Sequence, residues 1–153
     1  MFSKFAKNKS STFQSVPEKF DTIIGKKTVI HGNLMLLESI RIDGKVVGNV
    51  ASAKEDLITV VIGESGDVQG DIVANRVVIA GKVAGNLHAH DCIELHSDSV
   101  VQGDIRYGSI AIEHGAKVMG LLLHVSEASN PNLGDSDAQN AIRKAQYVAG
   151  SSN

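Results

Sequence analysis

The phrase Val-Gln-Gly-Asp-Ile occurs twice verbatim, at Val68–Ile72 and at Val101–Ile105. A second phrase, Gly-Lys-Val-x-Gly-Asn followed by Val or Leu, also occurs twice, from Gly44 to Val50 and from Gly81 to Leu87. Self-similarity at so short a period is the mark of a solenoid, whose repeats bury their apolar faces only by stacking on one another.

Six cycles emerge when the chain is aligned on Gly32, Gly48, Gly70, Gly85, Gly103 and Gly120, at intervals of 16, 22, 15, 18 and 17 residues. Two residues before each glycine stands Ile30, Val46, Val68, Val83, Val101 or Val118. Two residues after stands Leu34, Val50, Ile72, Leu87, Ile105 or Leu122. Further upstream lie a third column, Ile24, Ile42, Ile62, Ile79, Leu95 and Ile112, and a fourth, Thr22, Ile40, Val60, Val77, Ile93 and Ile110. Spacing by two is the period of a strand with one buried face, and no core segment shows a 3.6-residue period. Short strands separated by corners, about three per cycle, predict an all-β chain: a single-stranded parallel β-helix of about six rungs. At ~4.8 Å per rung the stack is roughly 25–30 Å long.

Each glycine is read as a repeating corner where the backbone bends or approaches its neighbour closely. Asn33, Asn49, Asp71, Asn86 and Asp104 follow five of them and can stack as a ladder, since Asn and Asp hydrogen-bond in turns. Gly120 is followed instead by Leu121. The interval of 22 is expected to hold an insertion at Lys54-Glu55-Asp56 and a longer corner at Gly63–Gly66.

Composition agrees with β structure. Aromatics are 4 % and Trp is absent, so the apolar weight falls on Val, Ile and Leu, which fit a pleated surface. The single cysteine, Cys92, leaves no internal disulfide and fits a reducing compartment. Apolar runs fall far short of the ~20 residues that span a bilayer, and the N-terminus lacks a secretory h-region. These features point to the cytosol. A net charge of −2 gives no general attraction to nucleic acid.

Composition also divides the chain. All four phenylalanines lie in residues 1–20, with Lys4, Lys7, Lys9 and Lys19 against Glu18 alone. Residues 126–153 turn to Ser, Asn, Asp, Ala and Gly, with one helix-compatible stretch near Ala138–Val148. We expect a core at 21–125 between disordered tails at 1–20 and 126–153.

A solenoid normally ends in caps, because its last rungs expose inward side chains and unpaired strand edges. No amphipathic capping helix precedes Thr22, and the chain runs apolar from Val118 to Val125 before turning polar. The expected contact surfaces are Thr22, Ile24 and Ile30 at the first end, and Ile112, Val118, Leu121, Leu122, Leu123 and Val125 at the last. Each inward Leu or Ile is worth ~1.5–3 kcal/mol when covered. Rod-on-rod docking that leaves the far end free does not close, and a filament results. The alternative is that the tails fold back as caps.

No other chemistry assembles. His88 and His90 flank inward Ala89, but their neighbours in adjacent rungs supply no closed metal-ligand set. Cys92 beside His90 has no orienting pocket, and Gly25-Lys26-Lys27-Thr28 lacks the Walker A spacing. We expect no cofactor, metal or catalysis.

The core from Thr22 to Val125 is similar to the bactofilins, bacterial polymer-forming cytoskeletal proteins. The resemblance rests on Ile24-Gly25, Val29–Leu34, Ile42–Val50 and the two Val-Gln-Gly-Asp-Ile copies. It implies a right-handed triangular β-helix that assembles end to end, without nucleotide, into filaments on the cytoplasmic membrane. There the filaments scaffold cell-wall or morphogenetic proteins. Met1, Phe2, Lys4, Phe5 and Lys7 resemble the membrane-targeting segment at residues 1–7 of some members. Phe at the headgroup boundary and Lys against anionic lipid supply the physics. The runner-up from another class, a hexapeptide-repeat acyltransferase, requires a strict multiple of six that the intervals lack. A non-polymerising β-helical adaptor is the third reading.

Overall fold

The structure, a computed structural model, describes residues 19–53 and 56–126. Every regular element among them is a strand, and every pairing is parallel. The first rung is β1 (Thr22–Ile24), β2 (Val29–His31) and β3 (Leu34–Leu36); the second is β4 (Ile40–Ile42), β5 (Lys45–Val47) and β6 (Val50–Ser52). The third begins with β7 (Thr59–Ile62) and β8 (Asp67–Gln69), and β9 (Ile72–Ile79) closes it and opens the fourth. After β10 (Lys82–Ala84), β11 (Leu87–Leu95) does the same for the fourth and fifth, which β12 (Val100–Gln102) and β13 (Ile105–Tyr107) complete. The sixth is β14 (Ser109–Ile112), β15 (Lys117–Met119) and β16 (Leu122–His124).

Three stacked faces result. The second strands of each rung form a six-stranded sheet in the order β2-β5-β8-β10-β12-β15, and the other two faces are joined through β9 and β11. All four apolar columns stand in register as the spacing predicts. Ile30, Val46, Val68, Val83, Val101 and Val118 pair rung to rung, as do Ile24, Ile42, Ile62, Ile79, Leu95 and Ile112. In the middle rungs these side chains are fully buried. The polymer-like regularity of the core therefore follows directly from residues spaced two apart.

The glycine corners stack tightly. A Cβ on Gly48 would lie 2.0 Å from the carbonyl oxygen of Gly32, and Gly70, Gly85, Gly103 and Gly120 repeat that approach. Gly48 also has φ +152, so space and backbone both demand glycine there.

The 22-residue interval departs from expectation in one half. Gly63–Gly66 is not an insertion: Gly66 N–H donates to Gly63 C=O, and Thr28 to Gly25, Ser99 to His96 and Ala116 to Glu113 make the same turn. This is the ordinary corner, and the rungs at Gly44 and Gly81 have a shorter one. There a Cβ would meet carbonyl oxygens at 2.3–2.4 Å. The true excess lies between Val50 and Val60, where Ile58 is drawn into the core. Lys54 and Glu55 fall outside the described residues.

Candidate assembly surfaces at the two ends of the stack

The inward columns do not stop being apolar where the stack stops. Leu95 and Ile105 are fully buried, whereas Ile112 and Leu122, the next members of their columns, are 46 % and 43 % exposed. Val118, below buried Val101, is half-buried. β15 and β16 are terminal in their sheet orders, so among the described residues each has strand neighbours on one side only. Apolar side chains and backbone edge groups thus share one end surface, the combination that a further strand layer would satisfy.

The remaining residues expected at this end lie elsewhere on it. Leu121 occupies the Asn/Asp column; its amide donates to Asp104 Oδ1 at 3.0 Å, and its side chain is exposed. Leu123 pairs with Arg106 on an outer strand position, and exposed Val125 follows the last strand with its amide on the Tyr107 carbonyl at 2.7 Å. They form a lateral rim to the end surface. Exposed Met119, beside Gln102, adds to that rim and was not singled out in the sequence.

The first end is concave. Thr22, Ile24, Ile30, Leu34, Leu36 and Ile40 line a cavity of about 470 Å³. Ile24 is only 6 % exposed and forms its wall, not its edge. The Thr22 hydroxyl donates to Glu38 Oε1 at 2.6 Å, pinning the start of β1 to the corner of the next rung. Leu36 belongs to a fifth inward column, of which the sequence marks only Ala89. It pairs with Ser52, and Ala74 pairs with Ala89 in later rungs, so no single residue type marks it.

The histidines and the cysteine named in the sequence stand on the strands of the stack. The rings of His88 and His90 lie 4.7 Å apart on one side of buried Ala89. Among the described residues no group of three or more His, Cys, Asp or Glu could hold a metal ion. Cys92 is half-buried, in register between Arg76 and Ser109. A charge network unseen in the sequence covers the first face: Arg76 pairs with Glu94, and His96 lies 3.4 Å from Glu113 and 3.8 Å from Glu94. Met1, Phe2, Lys4, Phe5 and Lys7 fall outside the described residues. No described helix is long and apolar enough to cross a membrane.

Comparison with known proteins agrees with this geometry. Residues 22–122 match the family model "Bactofilin: Polymer-forming cytoskeletal". Bactofilin BacO of Myxococcus xanthus (strain DK1622) is 41 % identical over 100 residues, which are 65 % of this chain and 76 % of BacO. Bactofilin BacP of the same organism is 28 % identical over 100 residues, covering 65 % of this chain but only 40 % of BacP. No solved structure matches. A family match that begins at the first strand and ends inside the last establishes that this chain belongs to the bactofilins, the polymer-forming cytoskeletal family.

Proposed function

We propose that this protein is a scaffold whose solenoids join end to end into filaments, without nucleotide, at the cytoplasmic membrane. The observation that carries this reading is the exposure of Ile112 and Leu122 in columns that are fully buried one rung earlier. Covering such side chains contributes ~25 cal/mol per Å² of apolar surface, and the strand edges beside them gain partners in the same step. Thr22, Ile24 and Ile30 at one end, and Ile112, Val118 and Leu122 at the other, with Leu121, Leu123 and Val125 as its rim, are the residues assigned to assembly.

Membrane attachment is assigned to residues 1–7, where Phe2 and Phe5 alternate with Lys4 and Lys7. One such segment binds weakly, at about 1 kcal/mol per lysine on an anionic surface. A filament carries many copies and binds by avidity, so assembly and attachment reinforce each other. Cell-wall or morphogenetic proteins are the proposed clients of the resulting surface.

Two sedimentation experiments test this. Purified protein should pellet without nucleotide, and Leu122→Asp should remain in the supernatant. Co-sedimentation with anionic liposomes should fall sharply when residues 1–7 are deleted; undiminished binding would refute the anchor.

A further inference from the structure

The outward residues of the first face read alike from either end of the stack, with the charges exchanged. Ile23, Arg41, Val61, Val78, Glu94 and Ala111 stand in register, one per rung. Two residues on, Asp43, Gly63, Ala80 and His96 follow in rungs two to five, each amide bonded to the rung before. Rung two therefore presents Arg41 and Asp43 where rung five presents Glu94 and His96. The Arg41 and His96 side chains protrude, at 45 % and 36 % exposed, while Asp43 and Glu94 are recessed at 16 % and 12 %. Between them Val61 and Val78 are half-buried and, with Gly63 and Ala80, line a groove of about 480 Å³.

We propose that this face docks a second copy of the chain laid antiparallel, about a two-fold axis that runs along the strands between rungs three and four. Such a contact is isologous, so each pairing occurs twice. Protruding Arg41 meets recessed Glu94, recessed Asp43 meets protruding His96, and Val61 covers Val78. At the other outward positions no like charges meet: Arg76 opposes Thr59, Asp21 opposes Ser109, and Ile23 opposes Ala111. At one edge Glu113 comes level with Lys26 and Lys27, and at the other Glu38 with Asp91, so the edges offset each other and the centre decides. A parallel copy would set Val61 against Gly63 and Val78 against Ala80, leaving the valines poorly covered. Arg41 would then only exchange its own Asp43, 3.0 Å away, for an identical one.

The face measures roughly 25–30 Å by about 10 Å, so one pair of subunits covers on the order of 300 Å² on each. A stable complex covers ~800 Å² per partner, so two single rods should part. Subunits joined end to end repeat the face along the filament, and their contacts act together. The contact therefore pairs filaments rather than single rods, and for that strength it rests on the end-to-end reading.

The test uses the full chain with Cys92→Ser, carrying either Arg41→Cys or Glu94→Cys, and a bismaleimide of about 8 Å span, which suits faces packed ~10 Å apart. A mixture of the two chains keeps one Arg41–Glu94 contact intact in each mixed pair. It should cross-link at least about ten-fold faster than either chain alone, because like positions stand three rungs, ~14 Å, apart. No end-to-end joint brings Arg41 and Glu94 of two subunits closer than three rungs. Equal rates in the mixture and in either chain alone would overturn the antiparallel contact. In electron micrographs the natural chain should form paired filaments, Arg41→Glu and Glu94→Arg single ones, and the two substitutions together paired ones again. Pairing that survives Arg41→Glu, or that the double exchange does not restore, overturns the charge exchange. Selective cross-linking in a chain that never forms filaments would uphold this contact and defeat the end-to-end reading. Filaments without selective cross-linking would defeat this contact alone.

Discussion

The side-chain oxygen of Asn49 accepts the backbone amide of Asp71 at 2.9 Å, and the carboxylate of Asp71 accepts the amide of Asn86 at 2.9 Å. The same bond runs from Asn33 up to Leu121, one per rung. It uses only an acceptor, which Asn and Asp both supply, and no two Asp residues are adjacent in the column. Asp71→Asn should therefore leave stability within about 0.5 kcal/mol, while Asp71→Ala should cost about 1 kcal/mol. Asn86→Asp stacks three carboxylates at ~4.8 Å intervals. It should destabilise the protein at low salt and recover at high salt. Urea unfolding in a Leu122→Asp background reads all three.

Gly85 stacks on Gly70 so closely that a Cβ would lie 2.0 Å from the carbonyl oxygen, which is backbone and cannot swing aside. Gly85→Ala should cost at least about 3 kcal/mol, whereas Gly25→Ala, whose Cβ meets nothing nearer than 3.9 Å, should stay within about 0.5 kcal/mol. Equal costs in thermal unfolding would show that the close approach is not what fixes glycine there.

Ser99 is fully buried, and its hydroxyl has no hydrogen-bond partner among the described residues. Its amide and carbonyl are both satisfied by turn and inter-rung bonds, so the side chain can be removed without disturbing the corner. Ser99→Ala should raise stability by about 1 kcal/mol, the cost of an unsatisfied buried hydroxyl. A loss of stability would mean that the hydroxyl has a partner.

The columns were legible because Ile, Val and Leu recur at spacing two around a glycine that tolerates no side chain. Register therefore follows from that spacing. The corners were not legible, because a four-residue turn and a two-residue turn serve the same position, and sequence intervals cannot say which is the ordinary one. Gly63–Gly66 looked inserted for that reason. The Leu36 column was hidden by its mixture of Leu, Ser and Ala. At the last end, three consecutive leucines read as one patch. Strand alternation divides them, turning Leu122 inward and leaving Leu121 and Leu123 at the rim. The ion pair of Arg76 and Glu94 joins residues 18 apart and leaves no local pattern.

On the proposed function, subunits join at the open end of the apolar columns. Electron microscopy of the purified protein in nucleotide-free buffer, beside Leu122→Asp and the rim variant Leu123→Asp, tests it most directly. The natural chain should form filaments, Leu122→Asp discrete particles, and Leu123→Asp shortened filaments. Filaments of undiminished length from Leu122→Asp would contradict it.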